Sequence, residues 1–113
     1  MRLVLELDGP VPPGGELRGR VIVAEGGRHR LLQVAIRLCE YSHYTEDIVH
    51  ASAILAREGE PAIGDAFPFA LTVPPQAGPP ITTEWGGLAW EIRAWADVKF
   101  QADPEVRQPL PLA

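Results

Sequence analysis

His43, Glu46, Asp47 and His50 crowd one short stretch of the chain, and all four are residue types that hold divalent metals. A bound metal needs about three or four donors converging on one point. Here the four residues fall in and just after the polar stretch Ser42 to Asp47, which reads as a turn or the tip of a long hairpin. Such side chains are ordinarily solvated there, and no further histidine or cysteine stands at helical or hairpin spacing, so no metal is assigned. Cys39 and His43 are the types of a nucleophile and its base. On a strand, four positions put them on one face but about 13 Å apart at a rise near 3.3 Å per residue, beyond hydrogen-bond reach. Glu46-Asp47 has no visible cleft in which to do general acid–base work. Gly26-Gly27 and Gly86-Gly87 are followed by no helix and are turn glycines, not phosphate loops. The sequence therefore assigns no catalytic, cofactor or metal residue, and the chain reads as a protein that is not an enzyme.

The tryptophans carry the remaining chemistry. Trp90 alternates with Leu88, Ile92, Ala94 and Ala96 and belongs to an apolar, core-facing side. Trp95 stands on the reverse face between Arg93 and Asp97, where an aromatic either packs under a loop or anchors a partner. Trp85 sits in a glycine-flanked loop and has the same two readings. Trp85, Trp95, Arg93 and Asp97 are the candidate partner-binding residues, with Trp95 the stronger anchor because its strand is rigid and its charged neighbours supply a polar rim.

These side chains must be positioned by strands. The chain has 113 residues, enough for one domain over 1–113 with a core of its own. Its 12 prolines and 11 glycines cluster between apolar runs, as turns between many strands require. Net charge is −5 and Lys99 is the only lysine, which argues against nucleic acid as a partner. A single cysteine rules out an intrachain disulfide and fits a reducing compartment. Acidic residues arrive too early for a signal peptide, and no apolar run approaches the roughly 20 residues of a membrane span. The expected location is cytoplasmic.

Along the chain, Leu3, Leu5 and Leu7 mark a first strand. Pro12-Pro13-Gly14-Gly15 fits a type II turn, with Pro13 supplying its fixed φ and Gly14 the positive one. Leu17, Gly19, Val21 and Val23 then face inward, with Glu16, Arg18 and Arg20 outward. Gly26-Gly27 suits a tight hairpin leading to Leu32, Val34, Ile36 and Leu38 on one face and Gln33, Arg37 and Cys39 on the other. Ile48 to Arg57 has both helical and strand character and is read as a strand, because no cap is clear and its neighbours are strands. Phe67, Phe69, Leu71 and Val73 form a period-2 face, and Pro68 places that strand at a sheet edge. Pro74 to Gly87 reads as a long loop. Leu88 to Phe100 is the longest alternating face, ending on Val98 and Phe100. Val106 to Leu112 gives a last strand, confined to an edge by Pro109 and Pro111. About seven short strands with regular turn signals predict an all-β sandwich of two antiparallel sheets.

The order of these pieces resembles the arrestin-like superfamily, including its bacterial sporulation-control and retromer-subunit branches. The resemblance rests on Pro13-Gly14 leading through Glu16 and Gly19 to Val21. It rests also on Gly64-Asp65-Ala66-Phe67-Pro68-Phe69-Ala70-Leu71-Thr72-Val73-Pro74 and on the strand Trp90 to Asp97, and it covers Leu3 to Leu112. It implies an immunoglobulin-like sandwich that acts as an adaptor or scaffold. Familiar members join two such sandwiches, and this chain corresponds to a first, amino-terminal one. No functional residue is carried over. The resulting expectation is a non-catalytic interaction module that binds a protein partner or another copy of itself through a sheet edge and exposed tryptophans. The alternative is a sandwich that binds a small molecule, for example a carbohydrate stacked on loop aromatics.

Overall fold

The computed structural model describes the chain apart from Ser42, His43 and Tyr44 and the side chains of Tyr41 and Thr45. Eight strands follow one another: β1 (Arg2–Leu7), β2 (Glu16–Glu25), β3 (His29–Tyr41), β4 (Thr45–Gly59), β5 (Ala66–Thr72), β6 (Ile81–Thr83), β7 (Gly86–Asp97) and β8 (Glu105–Pro109). They form two antiparallel sheets. The smaller has the order β1-β2-β5, and the larger β4-β3-β7-β6 with β8 also on β7. Among the described residues there is no helix, so none long and apolar enough to cross a membrane.

Alternation decides which side of each strand is buried. Leu17, Val21 and Val23 of β2 and Leu32, Val34 and Ile36 of β3 are fully inaccessible and meet Ile92, Ala94 and Ala96 of β7 in the core between the sheets. The β1–β2 connection takes the expected turn: Gly15 N–H donates to Pro12 O at 2.9 Å, and Gly14 has φ +83°. Gly19 has a packing reason. It lies between Leu7 and Phe69 in the small sheet, and a Cβ there would come 2.3 Å from Glu6 O and 3.0 Å from the Phe69 ring. Pro68 does fall on an edge strand, since β5 pairs only with β2. β8 likewise pairs only with β7, and beyond it Val11 and Leu112 form a parallel bridge that ties the chain's end to the β1–β2 loop.

Four local readings are corrected. Gly26-Gly27 makes no hairpin, because β2 and β3 belong to different sheets and the chain crosses between them there. Gly26 is required instead by close approach, as its Cβ would lie 2.9 Å from Pro61 O. Of the stretch Ser42 to Asp47, read as a turn or hairpin tip, Thr45, Glu46 and Asp47 belong to β4, and Ser42 to Tyr44 lie outside the described residues. The Pro74–Gly87 loop contains β6, which pairs with Gly86 to Leu88 and raises the strand count to eight. Finally, Phe100 is not on the inner face of β7. The strand ends at Asp97, Val98 N–H donates to the Asp103 carboxylate at 3.2 Å, and Phe100 stands on the turn at φ +64° and 94% exposed.

The ambiguous segment is a strand, and its mixed pattern has a cause. β4 pairs with β3 through two register shifts that leave His50 and Leu55 as extra residues, so period 2 is broken twice. β4 is also the edge of the large sheet, and bulges of this kind blunt an edge against unwanted pairing.

Candidate interaction surface

The outer face of the large sheet presents Trp95, Arg93 and Asp97 of β7 in register with Gln33, Ala35 and Leu31 of β3. Trp95 is half-buried, because the Arg93 guanidinium lies 4.5 Å from its ring centroid in a cation–π contact. Arg93 Nε also donates to Glu105 at 2.6 Å, and Asp97 accepts from Arg30 at 3.0 Å. Arg93 is therefore a lid on the tryptophan as much as a rim beside it, and Asp97 is occupied by Arg30.

Trp85 is at the other end of β7. Glu84 and Trp85 form the two-residue tip of the β6–β7 hairpin, where Trp85 N–H donates to Thr83 Oγ1 at 3.2 Å and that hydroxyl donates to Gly86 O at 3.1 Å. The backbone is held while the indole is 80% exposed. At a rise near 3.3 Å per residue the two tryptophans are roughly 30 Å apart and belong to separate patches. Exposure ranks Trp85 ahead of Trp95, the reverse of the order read from the sequence.

Next to the Trp85 hairpin the inner face of the large sheet runs out from under the small one. Ile36 and Ile92 are fully covered, but in the next row Leu38 and Trp90 are half-buried and Ile48 is 39% exposed. One row further, Leu88 is half-buried and its neighbour Ile81 is 55% exposed. Glu40 and Glu46 lie directly opposite one another in that same row. Trp90 is thus at the margin of the core, in a tilted ring contact with His50 at 4.8 Å between centroids, and His50 in turn reaches Gln76 at 3.3 Å. The margin exists because β3, β4 and β7 are far longer than β1 and β5.

The charged groups weighed from sequence do not gather around a metal. His43 lies outside the described residues, Asp47 accepts from Arg37 at 2.9 Å, His50 packs on Trp90, and Glu46 faces Glu40. Among the described residues no group of three or more metal-type side chains is close enough to hold an ion. The structure does assemble a charged cluster that alternation placed in solvent. Arg37 is buried on the outer face of β3 between Glu91 and Asp47, beside buried Cys39. Burial works against the Arg37 charge, but the Glu91 hydrogen bond and the Glu91 and Asp47 charges outweigh it, raising its pKa above the usual arginine range. The only sequence signal for this cluster was an arginine flanked at period 2 by alanine and cysteine on a nominally polar face.

At the opposite end, Arg28, Arg30, Lys99, Glu58 and Glu60 line a shallow depression of about 640 Å³ over buried His29. No tryptophan, tyrosine or phenylalanine among the described residues lines it. Among the described residues His29 Nδ1 has no hydrogen-bond partner, and burial pushes the imidazole below its usual value of 6.5. The folded chain therefore binds this proton less readily than the unfolded one. Stability is expected to be flat above about pH 7 and to fall as the pH drops below about 6.5, where the unfolded chain takes up the proton first. Urea midpoints across this range should show the decline, and His29→Leu should remove part of it. An unchanged slope in the variant would assign the decline elsewhere.

No protein-family model matches the chain. No curated protein sequence matches it either. Among solved structures it is similar to the crystal structure of Spo0M, sporulation control protein, from Bacillus subtilis, with a TM-score of 0.74 and 16% identity. The match takes in 98% of this chain and 48% of that one, so the chain spans about half the length of Spo0M. At that identity the likeness is one of architecture: the chain has the fold of an arrestin-like β-sandwich.

Proposed function

We propose that the chain is a non-catalytic interaction module that holds a protein partner or a second copy of itself, with Trp85 as the leading anchor. The observation that carries this reading is an indole 80% exposed on a hairpin tip whose backbone is pinned by hydrogen bonds. Large aromatics with little freedom to lose are what interface anchors are made of. Trp95, with Arg93 and Asp97, forms a second patch. Spo0M is named for control of sporulation, not for a reaction, and the shared fold supports a module without chemistry. A cytoplasmic setting agrees with the single cysteine. For a stacked sugar the natural place is a concave site walled by aromatics, whereas the depression over His29 is walled mainly by charged side chains. That contrast supports the protein reading.

Trp85→Ala is expected to leave the melting temperature nearly unchanged, since an exposed side chain is removed without opening a cavity. It should weaken self-association or capture of a partner by tenfold or more, about 1.4 kcal/mol. Trp95→Ala should cost more stability, because Trp95 is half-buried and its ring also carries the cation–π contact with Arg93. The measurement is a thermal melt paired with sedimentation and with capture from native extract. Unchanged binding by both variants would move the interface to a sheet edge.

A further inference from the structure

The two ends of the molecule are complementary to each other. At one end lies the uncovered inner face: Leu38, Ile48, Leu88, Trp90 and Ile81, with Glu40 and Glu46 in the same plane. Like charges directly opposite on a sheet repel, yet Glu40 and Glu46 form no ion pair with any described residue. That face is apolar and partly exposed, and among the described residues no cation pairs with its two carboxylates. At the other end, Phe100 projects from the β7–β8 turn at 94% exposure, with Lys99 Nζ 4.9 Å from its ring centroid. Lys99 has no carboxylate partner among the described residues, and φ +64° is an uncommon and costly conformation for a bulky residue. A single apolar side chain beside a single unpaired cation is what the acidic apolar face lacks.

Within one molecule they cannot meet. β7 carries Leu88 and Trp90 near its start and delivers the chain to Lys99 and Phe100 past its end, roughly 30 Å away at about 3.3 Å per residue. The longest dimension of the molecule is 43 Å.

We infer that copies of this chain associate end to end, Phe100 and Lys99 of one copy docking on the Leu38–Ile48–Trp90 face and its Glu40–Glu46 pair in the next. The inference rests on the interaction-module reading and names its partner. Such a contact is heterologous, joining two different surfaces, so it either closes on itself or continues. It buries a few side chains only, well below the roughly 1,200–2,000 Å² of a stable interface. It is accordingly weak, concentration-dependent and sensitive to salt.

The test is sedimentation velocity of the full chain from micromolar to millimolar concentration, at low and high salt. Wild type should sediment faster as concentration rises, less so at high salt. Phe100→Gly, which also relieves the positive φ and so keeps the fold, should weaken association about tenfold or more. Lys99→Glu and Glu46→Lys should each weaken it alone, and mixing the two variants should restore it by matching reversed charges. Association that survives Phe100→Gly unchanged, or a mixture that does no better than its parts, overturns the end-to-end contact while leaving the module reading intact. A monomer at every concentration also overturns it, and partner capture by the tryptophan variants then judges the module reading separately.

Discussion

Phe69→Ala is expected to cost about 3–5 kcal/mol, a large part of the roughly 5–15 kcal/mol that holds a small domain together. Phe69 is buried at the centre of β5 and pairs with Gly19 of β2. Because Gly19 has no side chain and Glu6 O occupies the space where one would begin, nothing on that side can move in to fill the space. A cavity that cannot collapse keeps its full cost. Trp90→Ala is the informative comparison. Sequence alternation ranks it with Phe69, but its position at the uncovered margin of the large sheet lowers the expected loss to about 1–2 kcal/mol, by the smaller area removed from contact. Urea unfolding of both variants measures the difference. Equal losses would mean that Trp90 is as enclosed as Phe69 and that the inner face is covered along its whole length.

Arg37→Met should be the other large effect, about 3 kcal/mol, at the lower end of what breaking a buried ion pair costs. The substitution keeps the length of the side chain and removes its charge, leaving the Glu91 carboxylate largely buried with no cation beside it. Asp47 moderates the loss, because about a third of its side chain (35%) still reaches water. The cost belongs to the stranded carboxylate more than to the bond itself. The double variant Arg37→Met, Glu91→Met should therefore recover most of the stability lost in the single one. Additive losses in the double variant would show instead that Arg37 matters for packing its alkyl stem and not for its charge.

Both expectations turn on how two elements sit against each other, and this is where sequence reading divides. β2 and β5 were legible because each alternates strictly and carries a proline or glycine signal with one meaning, the Pro13-Gly14 turn before β2 and Pro68 within the edge strand β5. β4 was less legible because two bulges interrupt its period. The Gly26-Gly27 pair misled, since a glycine demanded by a nearby carbonyl and a glycine demanded by a hairpin look alike in one dimension. β6 was hidden in a proline-rich loop because three residues are too few to show a period.

What the amino-acid sequence determined by itself was the all-β class, the inner residues of most strands and the three tryptophans as the side chains to watch. Those follow from local rules: period-2 alternation, fixed proline φ and the freedom of glycine. Tertiary structure alone decided which tryptophan is bare. Trp95 lost exposure to Arg93 two residues back along its own strand, while Trp85 kept it at a hairpin tip. It alone buried Arg37, by bringing Glu91 and Asp47 from the two flanking strands to either side of it. It alone left Leu38 half-covered and Ile48 and Ile81 exposed, because burial depends on how far the opposing sheet extends, and a strand's alternation carries no record of the length of the sheet that will face it.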